Sequence, residues 1–144
     1  MVRCNLFNEN PTVFKCDIEV WDAPKEWLQA DGCHHIGVLY HLKDPVSHLR
    51  ALAPLIHNAV FLDTHIALPT DTLEEYTSGG ERYRYKRYAE GGKKDVFSGM
   101  YDHAKWLLLE DIKGVLSQCG FSRINLLEER TERNGPRILM LAQR

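Results

Sequence analysis

The chain has 144 residues, of which 44% are hydrophobic and 26% are charged, and its formal net charge is -2. This length suits one domain with a real core, so we expect residues 1–144 to form a single domain. No segment approaches the run of about 20 apolar residues that a membrane helix needs, and no membrane span is expected. The near-neutral charge argues against a protein that binds nucleic acid over its whole surface.

The four cysteines are scattered along the chain and contain no CxxC pair. This pattern favours free thiols in a reducing compartment over a disulfide or zinc framework. The first residues carry no signal-peptide pattern, and a cytoplasmic location is expected. The cysteines are Cys4, Cys16, Cys33 and Cys119.

Three short strands are predicted in the first half of the chain. One is expected at 13–18, after the turn signal Asn10-Pro11, and a nearly all-apolar one at 36–40. Asp44-Pro45 then opens an amphipathic helix, because proline is favoured in a first helical turn. A third strand follows at 58–64.

The second half begins with a long insertion at about 68–106. A helix is predicted over 109–119, followed by Gly120 as its stop signal. Two strands, at 124–127 and 138–142, are expected to form a hairpin, since Asn-Gly sits in their connection. Continuous apolar strands that alternate with helices predict an α/β fold with a mostly parallel sheet and an antiparallel C-terminal hairpin.

The segment Gly37-Val38-Leu39-Tyr40-His41-Leu42-Lys43-Asp44-Pro45 resembles the GVLYHLxDP motif of class I S-adenosylmethionine-dependent methyltransferases. Asp63-Thr64-His65 and Gln118-Cys119-Gly120-Phe121 resemble later parts of the same family, and the likeness runs from about Pro11 to the end. The resemblance implies a Rossmann-like sheet and S-adenosylmethionine as cofactor. The subgroup that it suggests includes tRNA wobble-uridine and small-molecule methyltransferases.

The resemblance also implies a cofactor site. Asp17 matches the acidic position that accepts the adenine amino group, and Ile18 would pack on the adenine ring. Gly37 and Val38 would line the methionine side. These positions follow predicted strand ends, where ligands bind in open α/β sheets.

Tyr40 and His41 would face the methyl acceptor. Methyl transfer from a sulfonium mainly needs alignment, with a base where the acceptor must lose a proton, and His41 is the candidate base. The alternatives are a helix-entry histidine bonded to the backbone and, for Tyr40, a packed aromatic residue.

The insertion interleaves cations and aromatic residues from Arg82 to Tyr88. Such a segment can hold phosphates and stack on bases, whereas a solvated charged hairpin is the alternative. In the family this position covers the substrate, so the acceptor would be a small molecule or RNA. The implied substrate-binding residues are His65, Arg82, Arg84, Tyr101 and His103.

Several histidines raise the question of a metal site. His34 and His35 are adjacent, so on a strand they point to opposite faces and only one could join His41 and His65. No metal is therefore expected.

The sequence shows neither the glycine-rich loop nor the ribose-binding acidic residue with which members of the family begin. The explanations are an incomplete gene, a shrunken domain or half of a split enzyme, and an open strand edge would invite self-association. Three functions remain: methyl transfer, impaired by the missing loop; an inactive methyltransferase-like partner subunit; and a small RNA-binding module.

Overall fold

The computed structural model describes residues 12–144, which form seven strands, three α-helices and three short 3-10 helices. None of the helices in this part of the chain is long and apolar enough to cross a membrane. The helices are α1 (Lys25–Leu28), α2 (Pro45–Leu52) and α3 (Leu109–Gln118). The strands are β1 (Ala30–Ile36), β2 (Ile56–His65), β3 (Glu74–Ser78), β4 (Glu81–Ala89), β5 (His103–Leu107), β6 (Arg123–Glu132) and β7 (Gly135–Gln143).

The strands form two separate sheets. The larger has the order β1-β2-β7-β6, and the smaller has the order β3-β4-β5. Only β1 and β2 run parallel; every other neighbouring pair in the two sheets is antiparallel. The prediction of a mostly parallel, Rossmann-like sheet is therefore wrong.

Burial along β7 explains this error. Ile138, Met140 and Ala142 are fully buried, whereas Leu139 and Leu141 between them are half-buried. The strand thus buries one face against the helices and leaves the other partly open, as antiparallel sheets commonly do. A continuous run of apolar residues therefore does not show that both faces of this strand are covered.

The N-terminal strand predictions also fail. Residues 13–17 have no regular structure and 18–21 form a turn; the signal at Asn10-Pro11 lies outside the described residues. The strand expected at 36–40 instead ends at Ile36. Gly37 has a φ of +72°, a conformation that a glycine adopts without strain, and it turns the chain away from the sheet.

The helix and hairpin predictions are confirmed. The Asp44 side chain accepts a hydrogen bond from the Ser47 N–H at 3.0 Å and caps α2, with Pro45 in the first turn. The helix over 109–118 ends before Gly120, and β6 and β7 form the terminal hairpin. Both helices pack on the buried face of the larger sheet to form the core.

Strand β1 has an open edge within the described residues, because it pairs with β2 alone. An apolar groove of about 360 Å³ runs beside it, and Ala30 and Trp21 are among its lining residues. Unpaired backbone groups at such an edge favour pairing with another chain.

We therefore expect the protein to self-associate, with a sedimentation coefficient that rises with concentration in analytical ultracentrifugation. Ala30→Lys places a charge in the groove and should return the monomer. A wild-type protein that sediments as a monomer at every concentration would contradict this expectation.

Candidate cofactor and acceptor site

A cavity of about 450 Å³ lies beyond the end of β1. Its walls come from three stretches of chain, at 15–22, 37–42 and 98–100. The first two stretches contribute all four predicted cofactor residues, Asp17, Ile18, Gly37 and Val38. Residues twenty positions apart in sequence are thus brought to one cavity.

The first wall is a turn stabilised by its own acidic side chains. The Asp17 carboxylate accepts the Glu19 N–H at 3.0 Å, and the Asp17 N–H is bonded to Asp22 Oδ1 at 2.6 Å. The Trp21 N–H closes the turn on the Asp17 carbonyl at 2.7 Å. Short acidic residues form such turns because their side chains reach nearby backbone N–H groups. The wall therefore presents a carboxylate and, at Ile18, an apolar side chain.

The second wall follows β1 directly. The Gly37 N–H donates to the Asp63 carbonyl at 3.1 Å, which fixes the point where the chain leaves the sheet. Residues 39–41 then form one 3-10 turn with Leu39 buried beneath it. This anchoring places Val38 and His41 on the cavity surface.

His41 also lines a second, smaller cavity of about 180 Å³. The imidazole therefore stands between the two cavities, with 27% of its side chain exposed. Its Nδ1 lies 2.8 Å from Oε1 of Glu90, whose side chain is 4% exposed. Other residues of the smaller cavity include Tyr40, His65, Tyr88, Trp106 and Asn134.

Glu90 fixes the protonation pattern of His41. Its second oxygen accepts the Gly99 N–H at 3.0 Å and the Ser98 hydroxyl. An ionised carboxylate can only accept hydrogen bonds, so beside it Nδ1 of His41 is the donor to Oε1. Nε2 of the neutral ring is then left with a free lone pair, as a general base requires.

Sequence reasoning does not include Glu90 among the candidate residues. It follows β4 and is separated from His41 by 49 positions, and no motif marks it. The hydrogen-bonded pair is visible only once β4 and the 3-10 turn are placed side by side.

The third wall is pressed against the second. A Cβ atom at Gly99 would lie 2.3 Å from the His41 carbonyl oxygen, so only glycine allows this approach. Because Glu90 bonds both His41 and Gly99, one buried carboxylate connects His41 to the 98–100 wall.

A row of aromatic rings backs the smaller cavity. Trp106 is stacked between Tyr88 and His65, with ring centroids 4.3 Å and 4.6 Å away. The His65 ring is edge-on to Tyr40 at 4.8 Å, and its Nδ1 donates to the Pro136 carbonyl at 3.0 Å. Burial lowers the pKa of His65, so its Nε2 is an acceptor in the neutral ring.

An ion cluster supports Tyr40 from the sheet side. The Arg137 guanidinium lies 5.2 Å from the Tyr40 ring centroid and binds Asp63, which also binds Arg130 at 2.7 Å. Burial alone would raise the pKa of Asp63, but the hydrogen bonds from the two arginines outweigh it and hold that pKa below its usual value. Asp63 is thus a charged anchor at the end of β2.

The remaining predicted substrate residues lie elsewhere. Arg82 and Arg84 are exposed on β4 and are not among the residues that line either cavity. Tyr83 and Tyr85 point to the opposite, buried face and do not share a surface with Arg82 and Arg84, whereas Tyr88 is half-buried and stacks on Trp106. The interleaved pattern is the alternation of a strand.

Tyr101 and His103 also lie outside the two cavity linings. The Lys43 ammonium stands 4.6 Å from the Tyr101 ring centroid, and Nδ1 of His103 is 2.7 Å from Asp102. Their predicted role in acceptor binding therefore has no counterpart in these cavity walls.

The histidines do not gather into one cluster. His35 is buried against His48, whereas His41 and His65 line the smaller cavity. Among residues 12–144 no group of three metal-ligating side chains is close enough together to hold an ion.

The fold itself has counterparts among solved structures. The chain matches no protein-family model and no curated protein. It is similar to the N-terminal domain of EvdMO1, solved in the presence of SAH and D-fucose, with 26% identity, 89% of this chain and 52% of that chain covered, and a TM-score of 0.70.

A second structure of that domain, with SAH bound, has the same TM-score and identity over 51% of its length. A structure of EvdMO1 matches at 20% identity over 98% of this chain and 27% of that one, with a TM-score of 0.61, and shows the fold alone. The chain therefore spans about half the length of the N-terminal domain structures that it matches.

Proposed function

We propose that the larger cavity binds S-adenosylmethionine and that the chain takes part in methyl transfer to a small hydroxylated acceptor. The observation that carries this proposal is the convergence of Asp17, Ile18, Gly37, Val38 and His41 on one cavity. Its volume of about 450 Å³ lies within the range of small-ligand pockets. The similar domains were solved with SAH, the product that S-adenosylmethionine leaves after methyl transfer.

The assignment within the cavity follows from its chemistry. Asp17 would accept the adenine amino group and Ile18 would cover the adenine ring. Gly37 and Val38 would line the methionine end, next to His41. His41 would then lie between the bound cofactor and the smaller cavity, where the acceptor would bind.

His41 would supply the base. Bound S-adenosylmethionine would supply the methyl group for the acceptor oxygen, and SAH would be the other product. The hydroxyl proton passes to Nε2 of His41, and Glu90 stabilises the resulting imidazolium through Nδ1. Tyr40 beside it would orient the acceptor.

The acceptor proposed here is a small polyhydroxylated molecule. Most of the smaller cavity's lining is polar, and Tyr40, His65, Glu90 and Asn134 face a space of about 180 Å³. The D-fucose present with a similar domain is consistent with such a ligand. Tyr83 and Tyr85 of β4 are buried, and Tyr88 is half-buried and stacked on Trp106, so these rings do not form an exposed row for stacking on RNA bases.

Titration calorimetry with SAH tests the cofactor site. Asp17→Ala removes the adenine acceptor, and we expect about a tenfold or greater loss of affinity, the scale of a hydrogen bond to a charged group. Asp31→Ala is the matched control, because the Asp31 side chain is 87% exposed on β1.

Equal SAH affinities for the wild type and Asp17→Ala would contradict the assignment. Binding without turnover of any hydroxylated acceptor, D-fucose included, would instead favour the inactive partner subunit.

A further inference from the structure

Two buried histidines, His35 and His48, support the turn that forms the first wall of the larger cavity. His35 on β1 is 6% exposed and His48 on α2 is 4% exposed. Their Nε2 atoms are 2.7 Å apart, and Nδ1 of His48 lies 3.2 Å from the Ile18 carbonyl oxygen. The Trp21 ring stacks on His48 with centroids 5.0 Å apart. The pair thus connects the sheet, through α2, to the turn that lines the larger cavity.

The hydrogen-bond partners fix where the protons are. The Ile18 carbonyl can only accept, so Nδ1 of His48 donates to it and Nε2 of the neutral ring accepts. Nε2 of His35 must then be the donor across the 2.7 Å contact. Nδ1 of His35 is buried and has no hydrogen-bond partner. The closed arrangement therefore requires both rings to be neutral.

The surroundings offer no charge that would compensate a proton on either ring. In the described part of the chain, Cys33 and His34 on β1 are the other titratable groups that line the groove around the pair. His34 turns away and stacks on Phe61. The remaining lining is apolar or backbone, and it includes Leu28 of α1, Leu52 of α2 and Ile56 of β2.

We propose that His35 and His48 are positioning residues that set the 17–21 turn, and through it the cofactor affinity, in a proton-dependent way. The inference rests on the proposed function of the larger cavity. At pH values where both rings are neutral, a hydrogen-bonded relay from His35 through His48 to the Ile18 carbonyl holds Ile18 in place. A second proton on Nε2 of His48 breaks the contact with His35, and one on Nδ1 of His35 has no acceptor.

The direction of the pH effect follows from the burial of the pair. Burial, with a smaller contribution from His48, lowers the pKa of His35 to about 4, and burial also lowers the pKa of His48. Rings exposed by opening the turn would have an ordinary pKa of about 6.5. The relay's stabilisation is thus complete above about pH 6.5 and is lost as the pH falls toward 4. If the open turn binds one more proton than the closed turn, the ratio of open to closed molecules rises about tenfold as the pH falls from 7.5 to 5.5.

Hydrogen exchange of the unliganded protein tests the relay directly. The N–H groups of Val20 and Trp21 bond to the Asp17 carbonyl at 3.2 Å and 2.7 Å and report on the turn. We expect their protection factors to fall about tenfold from pH 7.5 to 5.5 in the wild type. His48→Asn keeps an N–H donor near the Nδ1 position without a titrating group, so protection should stay high and lose the part of its pH dependence that comes from His48.

His57→Asn is the matched control, because the His57 side chain on β2 is 57% exposed, and it should keep the wild-type pH profile. An equal drop in protection in the wild type and His48→Asn would overturn the proposal. Should His48→Asn fail to fold, His35→Gln, which retains a donor toward His48, should flatten the same profile.

The second measurement is SAH affinity at the two pH values. We expect the dissociation constant to rise more at pH 5.5 in the wild type than in His48→Asn. Failure of SAH to bind at either pH would contradict the proposed function of the cavity. The hydrogen-exchange result would still test the relay, because it is measured without ligand. Binding with the same pH dependence in both proteins would remove the relay's role in cofactor affinity.

Discussion

Replacing His41 by alanine is expected to lower kcat for methyl transfer by about 10²- to 10⁴-fold, the usual contribution of a general base. The reason is its position, since the imidazole lines both cavities and its Nδ1 is held by Glu90 at 2.8 Å. Most cofactor contacts remain in the variant, so SAH affinity should change little. Steady-state kinetics with a hydroxylated acceptor, together with SAH calorimetry, separates the two effects.

Two further variants sharpen this test. Glu90→Gln keeps the shape of the side chain but removes the charge that stabilises the imidazolium, and we expect a smaller loss of kcat than in His41→Ala. The exposed His57→Ala should retain wild-type kinetics. Wild-type kcat in His41→Ala would show that alignment alone drives the reaction, and it would remove His41 from the mechanism.

The residues proposed for the cofactor cavity could be named from the sequence because a family resemblance marks each of them. Gly37 and Val38 came from the GVLYHLxDP motif, but the start of the motif is expected to lie in a strand, whereas Gly37 has a φ of +72° and turns the chain away from the sheet. Asp17 and Ile18 came from the family resemblance, and the structure places them in the same cavity as Gly37 and Val38. The resemblance was enough to propose these residues together, whereas the backbone conformation at Gly37 was not predicted.

The sheet could not be predicted in the same way. The apolar run at 36–40 predicts a strand there, but the strand is Ala30–Ile36, which contains His34 and His35. Those polar residues are accommodated by partners far away in sequence, Phe61 for one and His48 for the other. Strand direction depends on such long-range pairing, which a single sequence does not display.

Glu90 and the second sheet were beyond prediction for a related reason. The Tyr/Arg pattern of β4 has period two, which fits a strand, but the choice of buried face depends on Tyr83 and Tyr85 meeting the core. Only that choice brings the end of β4, and hence Glu90, to His41. The sequence resemblance singled out His41 as a candidate base, whereas its carboxylate partner Glu90 is visible only in the three-dimensional arrangement.

Replacing Trp106 by alanine is expected to lower the free energy of unfolding by about 3–5 kcal/mol, the range for deleting a large aromatic core side chain. Trp106 is 1% exposed, and its indole N–H donates to the Tyr40 carbonyl at 3.1 Å. Its ring also supports the terminal hairpin, since a Cβ atom at Gly135 would lie only 3.0 Å from it. Chemical denaturation measures the change.

The same side chain connects stability to acceptor binding. Without it, Tyr88 and His65 lose the ring stacked between them, so we expect a weaker affinity for the acceptor with little change in the SAH dissociation constant. Trp106→Phe should recover most of the packing and lose about 1 kcal/mol through the missing hydrogen bond. Trp27→Ala is the control, because that ring is 59% exposed. A loss of SAH affinity as large as the loss of acceptor affinity would mean that Trp106 supports the whole site rather than the acceptor cavity alone.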